Sequence, residues 1–227
     1  MLAFTIPQTI PWVTAAGWRW LAWVFDWDTV WLAQSEIALA SSPINLCTGY
    51  FPCALRLGGG GTVEVSGGAQ IACLSSSGCS SISIHGLAFT CRNNSKAVFQ
   101  VRGCSLSISM VSFVGCRSDA DGGVIQAYDL AKVVIEASNF TDVQSSGFGG
   151  AIAAYGSSLS VSNSVLRNCS SQSGGGAIWA AAFPDCFDTN QANNTYLHIS
   201  ASVFILCHTG RTRLWLLSKF QRQQLAY

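Results

Sequence analysis

Charge is what this chain has least of. Lysine, arginine, aspartate and glutamate together make up only 10% of its 227 residues, and the net charge is +1. So weak a field gives a nucleic-acid backbone nothing to bind. Charge is locally concentrated only in residues 211–227, net +4 through Arg211, Arg213, Lys219 and Arg222, and a tail this short reads as a solvated helix face. Histidine occurs three times, at His85, His198 and His208, without clustering with the cysteines, and no Cys-x-x-Cys is present. The spacing of a zinc site is therefore missing, and no metal or cofactor is expected. Gly58–Gly61 lacks the Lys-Ser/Thr that completes a phosphate loop and reads as a turn. No apolar run reaches the roughly 20 uninterrupted residues of a spanning helix. Residues 12–25 come nearest, but Arg19 interrupts them, Asp26 and Asp28 follow, and no basic residue precedes them as in a secretory signal.

What is abundant is apolar residues, 49%, with 22 glycines and many serines. Loops and outward faces must then be built from Ser, Asn and Gly, unlike the surface of an ordinary cytosolic enzyme. These residues are arranged in a repeat. Ile82-Ser-Ile84-His-Gly86-Leu-Ala-Phe89, Leu106-Ser-Ile108-Ser-Met110-Val-Ser-Phe113, Val133-Val-Ile135-Glu-Ala137-Ser-Asn-Phe140, Leu159-Ser-Val161-Ser-Asn163-Ser-Val-Leu166 and Leu197-His-Ile199-Ser-Ala201-Ser-Val-Phe204 are copies of one phrase. They begin 24, 27, 26 and 38 residues apart, the last interval holding an inserted loop from Phe183 to Asn194. A second phrase follows three of them: Gly122-Gly-Val-Ile125, Gly149-Gly-Ala-Ile152 and Gly175-Gly-Ala-Ile178. In each case the residue after the Gly pair lies 18 positions beyond the start of the first phrase.

Within the first phrase apolar residues alternate with serine, the period of a half-buried strand. The glycines supply a turn, and Val124–Tyr128, Ala151–Tyr155 and Ala177–Ala181 read as second strands. Short strands repeating every 24–27 residues match the coil of a parallel β-helix. One rung buries about five apolar side chains at roughly 1.5–3 kcal/mol each, whereas ordering its residues costs roughly 1–2 kcal/mol apiece. No rung can stand alone, so Leu106, Val133, Leu159 and Leu197 are expected to stack as one interior column. Val63-Glu-Val65 and Gly67-Gly-Ala-Gln-Ile71 read as a degenerate earlier coil. The expected fold is thus all-β, a right-handed parallel β-helix of about five to six rungs over 46–210. A Trp-rich segment precedes it over 1–45 and a basic amphipathic tail follows over 211–227. In the first segment Trp20, Trp23, Trp27 and Trp31 are spaced as one face of a helix, a cap for the exposed end. The other readings are a disordered segment or a cleaved signal, with Ala38-Leu-Ala40 before Ser41 as its processing site. Membrane association stays open.

The repeats resemble those of the polymorphic outer membrane proteins of chlamydial surfaces, which combine Gly-Gly-Ala-Ile with Phe-x-x-Asn on a β-helix. Gly149–Ile152 and Gly175–Ile178 match the first motif and Gly122–Ile125 nearly does. Phe113-Val-Gly-Cys116, Phe140-Thr-Asp-Val143, Leu166-Arg-Asn-Cys169 and Phe204-Ile-Leu-Cys207 depart from the second by lacking its Asn. The resemblance spans about 82–207. It implies a secreted or surface-exposed protein, at the outer membrane if bacterial, serving adhesion or display.

Ten cysteines point to an oxidising compartment, as do the glycosylation sequons at Asn93, Asn139, Asn168 and Asn193. Adjacent rungs lie roughly 4.8 Å apart, within disulfide reach. Cys91 with Cys116 and Cys169 with Cys207 are therefore candidate bonds, the alternative being a column of buried thiols. Cys47 with Cys53 and Cys73 with Cys79 are candidate loop bonds. Folds of this kind often cleave carbohydrate, which takes two convergent carboxylates. Here Asp119 and Asp121 precede Gly122, while Asp129, Glu136 and Asp142 are scattered. The expectation is a non-catalytic repeat protein whose partners are polysaccharide or other surface proteins, with no catalytic residue assigned. A polysaccharide-binding or polysaccharide-cleaving β-helix is the alternative, and it requires Asp119 or Asp121 to meet Arg117 or a neighbouring acid in a groove.

Overall fold

The computed structural model describes residues 29–32, 36–40, 43–47, 54–74, 81–181 and 195–210. The apolar stretch 12–25, Trp20, Trp23 and Trp27, the insertion Phe183–Asn194, Cys53, Cys79, Asn193 and the basic tail lie outside them. Every described element is a strand, and every strand pairing is parallel between one coil and the next. The fold is an all-β parallel solenoid, as the repeat predicts.

Each coil passes through a fixed series of strands. The first sheet has seven: Thr29–Leu32, Ala54–Gly59, Ser81–His85, Ser105–Ser109, Lys132–Glu136, Ser158–Ser162 and Tyr196–Ser200. The second also has seven, including Thr62–Ser66, Ala88–Arg92, Ser112–Val114, Asn139–Thr141, Val165–Arg167 and Val203–Ile205. A short sheet of four follows, and a last sheet of six runs from Pro43–Cys47 through Phe99–Arg102, Ile125–Tyr128 and Ile152–Tyr155 to Ile178–Ala181. The first coil begins earlier than expected, because Thr29–Leu32, Glu36–Ala40 and Pro43–Cys47 already pair with the strands of the next. Trp31 thus stands in a strand rather than on a helical stripe.

The register is the one the alternation dictates. Leu106 pairs with Val133, Val133 with Leu159 and Leu159 with Leu197, while Ile84, Ile108, Ile135, Val161 and Ile199 form the neighbouring column. In the second sheet Phe89, Phe113 and Phe140 stack at centroid distances of 5.0 and 4.9 Å, continued by Leu166 and Phe204. In the last sheet Phe99, Ile125, Ile152 and Ile178 do the same. These columns meet in one continuous core. Since the side-chain period is two, slipping one strand by one residue would turn its apolar set outward.

The Gly pair is explained by two different constraints. Gly122, Gly149 and Gly175 have φ of 59°, 66° and 64°, a left-handed conformation open to glycine. The second glycine is squeezed between rungs: a Cβ on Gly150 would lie 2.0 Å from the Gly176 carbonyl oxygen, and one on Gly123 2.5 Å from that of Gly150. Other corners use left-handed residues too. After the first strand these include Gly86, Met110, Ala137, Asn163 and Ala201, and after the second they include Gly115, Asp142, Asn168 and Leu206. The next residue, in the place of the missing Asn, is Cys116, Val143, Cys169 or Cys207; the first three are fully buried, so this position belongs to the interior.

Serine departs from its expected place outside. Ser138 and Ser164 are 3% and 1% exposed and form a ladder through the corner between the first two sheets. Each hydroxyl donates to the carbonyl two residues back, Ser138 to Glu136 at 2.8 Å and Ser164 to Ser162 at 2.7 Å. Each also accepts an amide from the rung before: Val111 N–H donates to Ser138 Oγ at 3.2 Å and Ser138 N–H to Ser164 Oγ at 3.1 Å. Ser202 accepts the Ser164 amide in the same way.

Candidate functional site

The short sheet consists of Arg117–Ser118, Gln144–Ser145, Ser170–Ser171 and His208–Thr209. With two residues per strand, one side chain faces in and one out. Ser118, Ser145, Ser171 and Thr209 face in and are buried. The three serines lie close to carbonyls of the turns ahead of the glycines, Ser171 Oγ donating to the Gly174 carbonyl at 2.8 Å. Arg117, Gln144, Ser170 and His208 form the outward ladder, one per rung and in register.

Asn94 closes one edge of this sheet. Its side chain is 5% exposed. The Arg117 N–H donates to its Oδ1 at 2.9 Å, while its Nδ2 donates to the carbonyl of Arg117 at 2.5 Å and to that of Lys96 at 2.9 Å. The carboxamide thus takes up both backbone groups of Arg117 that a further strand would pair.

The ladder floors a shallow depression of about 270 Å³, lined also by Asp119, Ser146, Gln172 and Gly210. Its surface is made of hydroxyls, carboxamides, one guanidinium, one imidazole and one carboxylate, and it supplies hydrogen bonds in both directions. Asp119 and Arg117 do converge here, but Asp121 does not. Asp121 Oδ1 accepts the Phe148 N–H at 2.7 Å and its Oδ2 accepts the Tyr155 hydroxyl at 2.8 Å, clamping one turn to the next rung. The other acids lie apart: Asp129 pairs with Arg102 at 2.5 Å and Asp142 accepts from Asn168 Nδ2 at 2.6 Å. Glu136 is exposed at the end of a first-sheet strand. Asp119 is thus the single carboxylate among the described lining residues, where acid-catalysed glycoside cleavage uses two. Among the described residues no group of three or more His, Cys, Asp or Glu could hold a metal ion.

Beside the clamp, Tyr128 and Tyr155 stack at a centroid distance of 5.5 Å. Burial and the Asp121 charge push the Tyr128 phenol up to about 12, and burial together with the bond to Asp121 pushes Tyr155 up further. In the next rungs Phe148 and Trp179 stack at 4.3 Å.

The cysteines divide. Cys91 and Cys116 form the expected disulfide, with Cα atoms 4.7 Å apart. Cys169 and Cys207 remain thiols, with their side chains in hydrogen-bond contact. Cys73 is not joined to Cys79; it is a buried thiol packed against Cys104, whose Sγ lies 3.1 Å from the Cys73 carbonyl oxygen. Asn94, Gln144, Gln172 and His208 escape sequence reasoning as site residues. The available signal was the Ser/Thr at 118, 145, 171 and 209, each two places after Cys116, Val143, Cys169 or Cys207.

Comparison of the chain with protein-family models, with curated proteins and with solved structures finds no match. The class defined by fold and site is therefore a β-solenoid with a polar ladder face.

Proposed function

We propose that this chain is a non-catalytic, secreted or cell-surface β-helix repeat protein that serves adhesion or display by contacting a polysaccharide or another surface protein. The observation that carries this reading is the ladder of Arg117, Gln144, Ser170 and His208, which offers one hydrogen-bonding side chain per rung beside a single carboxylate. A repeating donor and acceptor row suits an extended polymer, which can engage successive rungs and gain avidity without a deep pocket. The disulfide supports an oxidising compartment, where such bonds persist. The resemblance to the polymorphic outer membrane protein repeats points the same way. Function does not follow from fold, so the ladder rather than the solenoid bears the argument.

A second reading, cleavage of an acidic polysaccharide, is favoured by the convergence of Arg117 and Asp119. One experiment separates the two. The purified chain is tested for retention on immobilised cell-wall polysaccharides and matrix proteins, alongside an Arg117→Ala, His208→Ala double variant of unchanged circular dichroism. Retention that the double variant loses supports binding through the ladder. Retention that it keeps refutes this face. Release of new reducing ends from uronic-acid polymers, abolished in Asp119→Ala, would replace the first reading with the second.

A further inference from the structure

Cys169 and Cys207 occupy the same place in successive rungs. Their backbones are held together, since the His208 N–H donates to the Cys169 carbonyl at 3.0 Å and Ser170 pairs with His208. Their sulfurs meet in the interior column that already contains one disulfide, Cys91–Cys116, nearer the amino terminus. The two differ in access: Cys169 is fully buried, whereas Cys207 is half-buried. We propose that Cys169 and Cys207 form a redox-closable staple between the last two described rungs, with Cys207 as the attacking sulfur and Cys169 as the resolving one.

The exchange needs a low-molecular-weight disulfide of the oxidised-glutathione class. The Cys207 thiolate attacks one of its sulfurs, the external S–S bond breaks, and one thiol leaves with a proton. Cys169 then gives up its proton and attacks Cys207 Sγ, expelling the second thiol and leaving the Cys169–Cys207 bond. One external disulfide is reduced to two thiols while two protein thiols are oxidised to one disulfide. The hydrogen-bond contact with Cys169 holds Cys207 below the ordinary thiol range, at about 7, and the same contact, with burial, holds Cys169 above it. Access sets the order of attack, since Cys207 is half-buried and Cys169 fully buried, and this polarity agrees with it, the thiolate being the nucleophile. Cys73 and Cys104 make a similar contact but are 0% and 2% exposed, so an external disulfide cannot reach them in the folded chain.

The folded full chain is incubated with oxidised glutathione, quenched with iodoacetamide and digested without reduction for peptide mass spectrometry. The expected product is a Cys169–Cys207 peptide pair, with Cys73 and Cys104 alkylated only after unfolding. Below pH about 7 its rate of formation should rise nearly tenfold per pH unit and then level off. Cys169→Ser should trap glutathione on Cys207, and Cys207→Ser should leave Cys169 unmodified, in variants whose circular dichroism is unchanged. The proposal is overturned if wild-type Cys207 accumulates glutathione without closing. It is overturned equally if Cys169 reacts as readily in the Cys207→Ser variant, or if the pair closes only in the urea-unfolded chain.

Discussion

Replacing Ser164 by alanine tests whether the buried serine ladder stabilises the solenoid. Alanine removes the donor to the Ser162 carbonyl, but that oxygen also accepts the Ala137 N–H at 3.1 Å and stays paired. The amide of Ser138 does not: Ser164 Oγ is its acceptor, and Ser138 is 3% exposed. The change therefore costs the desolvation of one buried N–H, about 1–3 kcal/mol. Ser160→Ala, an outward position on the adjoining strand, should cost less than about 0.5 kcal/mol. Urea denaturation followed by circular dichroism gives the energies, and amide hydrogen exchange gives the location, since the Ser138 N–H should exchange faster in Ser164→Ala. Equal stabilities for the two variants, with no change in Ser138 exchange, would refute the ladder as a stabilising element.

Other outcomes follow from the same geometry. Ile135→Asp sets a carboxyl in the stacked interior, where Ile135 is fully buried, and should cost about 3 kcal/mol or more in thermal or urea unfolding. Met110→Asn should stabilise by about 0.5–1 kcal/mol in the same assays, because Met110 holds φ of 54° while 62% exposed and asparagine tolerates that conformation. Tyr128 keeps its proton in the folded chain up to about 12, against 10 when unperturbed. Its share of stability is thus complete below pH 10 and lost as pH rises through about 12, a decline that alkaline unfolding of Tyr128→Phe should show reduced.

The core was legible because its signal is redundant. Leu106, Val133 and Leu159 announce their register through alternation, and the Gly pairs confirm the period from a separate part of each coil. Ser138 and Ser164 were illegible for the opposite reason: the same residue type also fills the outward places Ser107 and Ser160, and only position relative to the corner separates them. The polar face was hidden by its brevity. Strands of two residues, such as Gln144–Ser145, carry no periodicity, so the alignment of Arg117 with His208 emerges only once the rungs are stacked. Asp121 was legible as a turn residue before the Gly pair, but not its partners, because Phe148 and Tyr155 arrive from the next rung.

Asn94 gives the short sheet a polarity. With a carboxamide occupying both backbone groups of Arg117, an incoming chain finds nothing to anneal to on that side. Assembly by strand addition is thereby barred in one direction, and the row of side chains has a fixed starting point from which its length is counted, like the stop at the zero end of a rule.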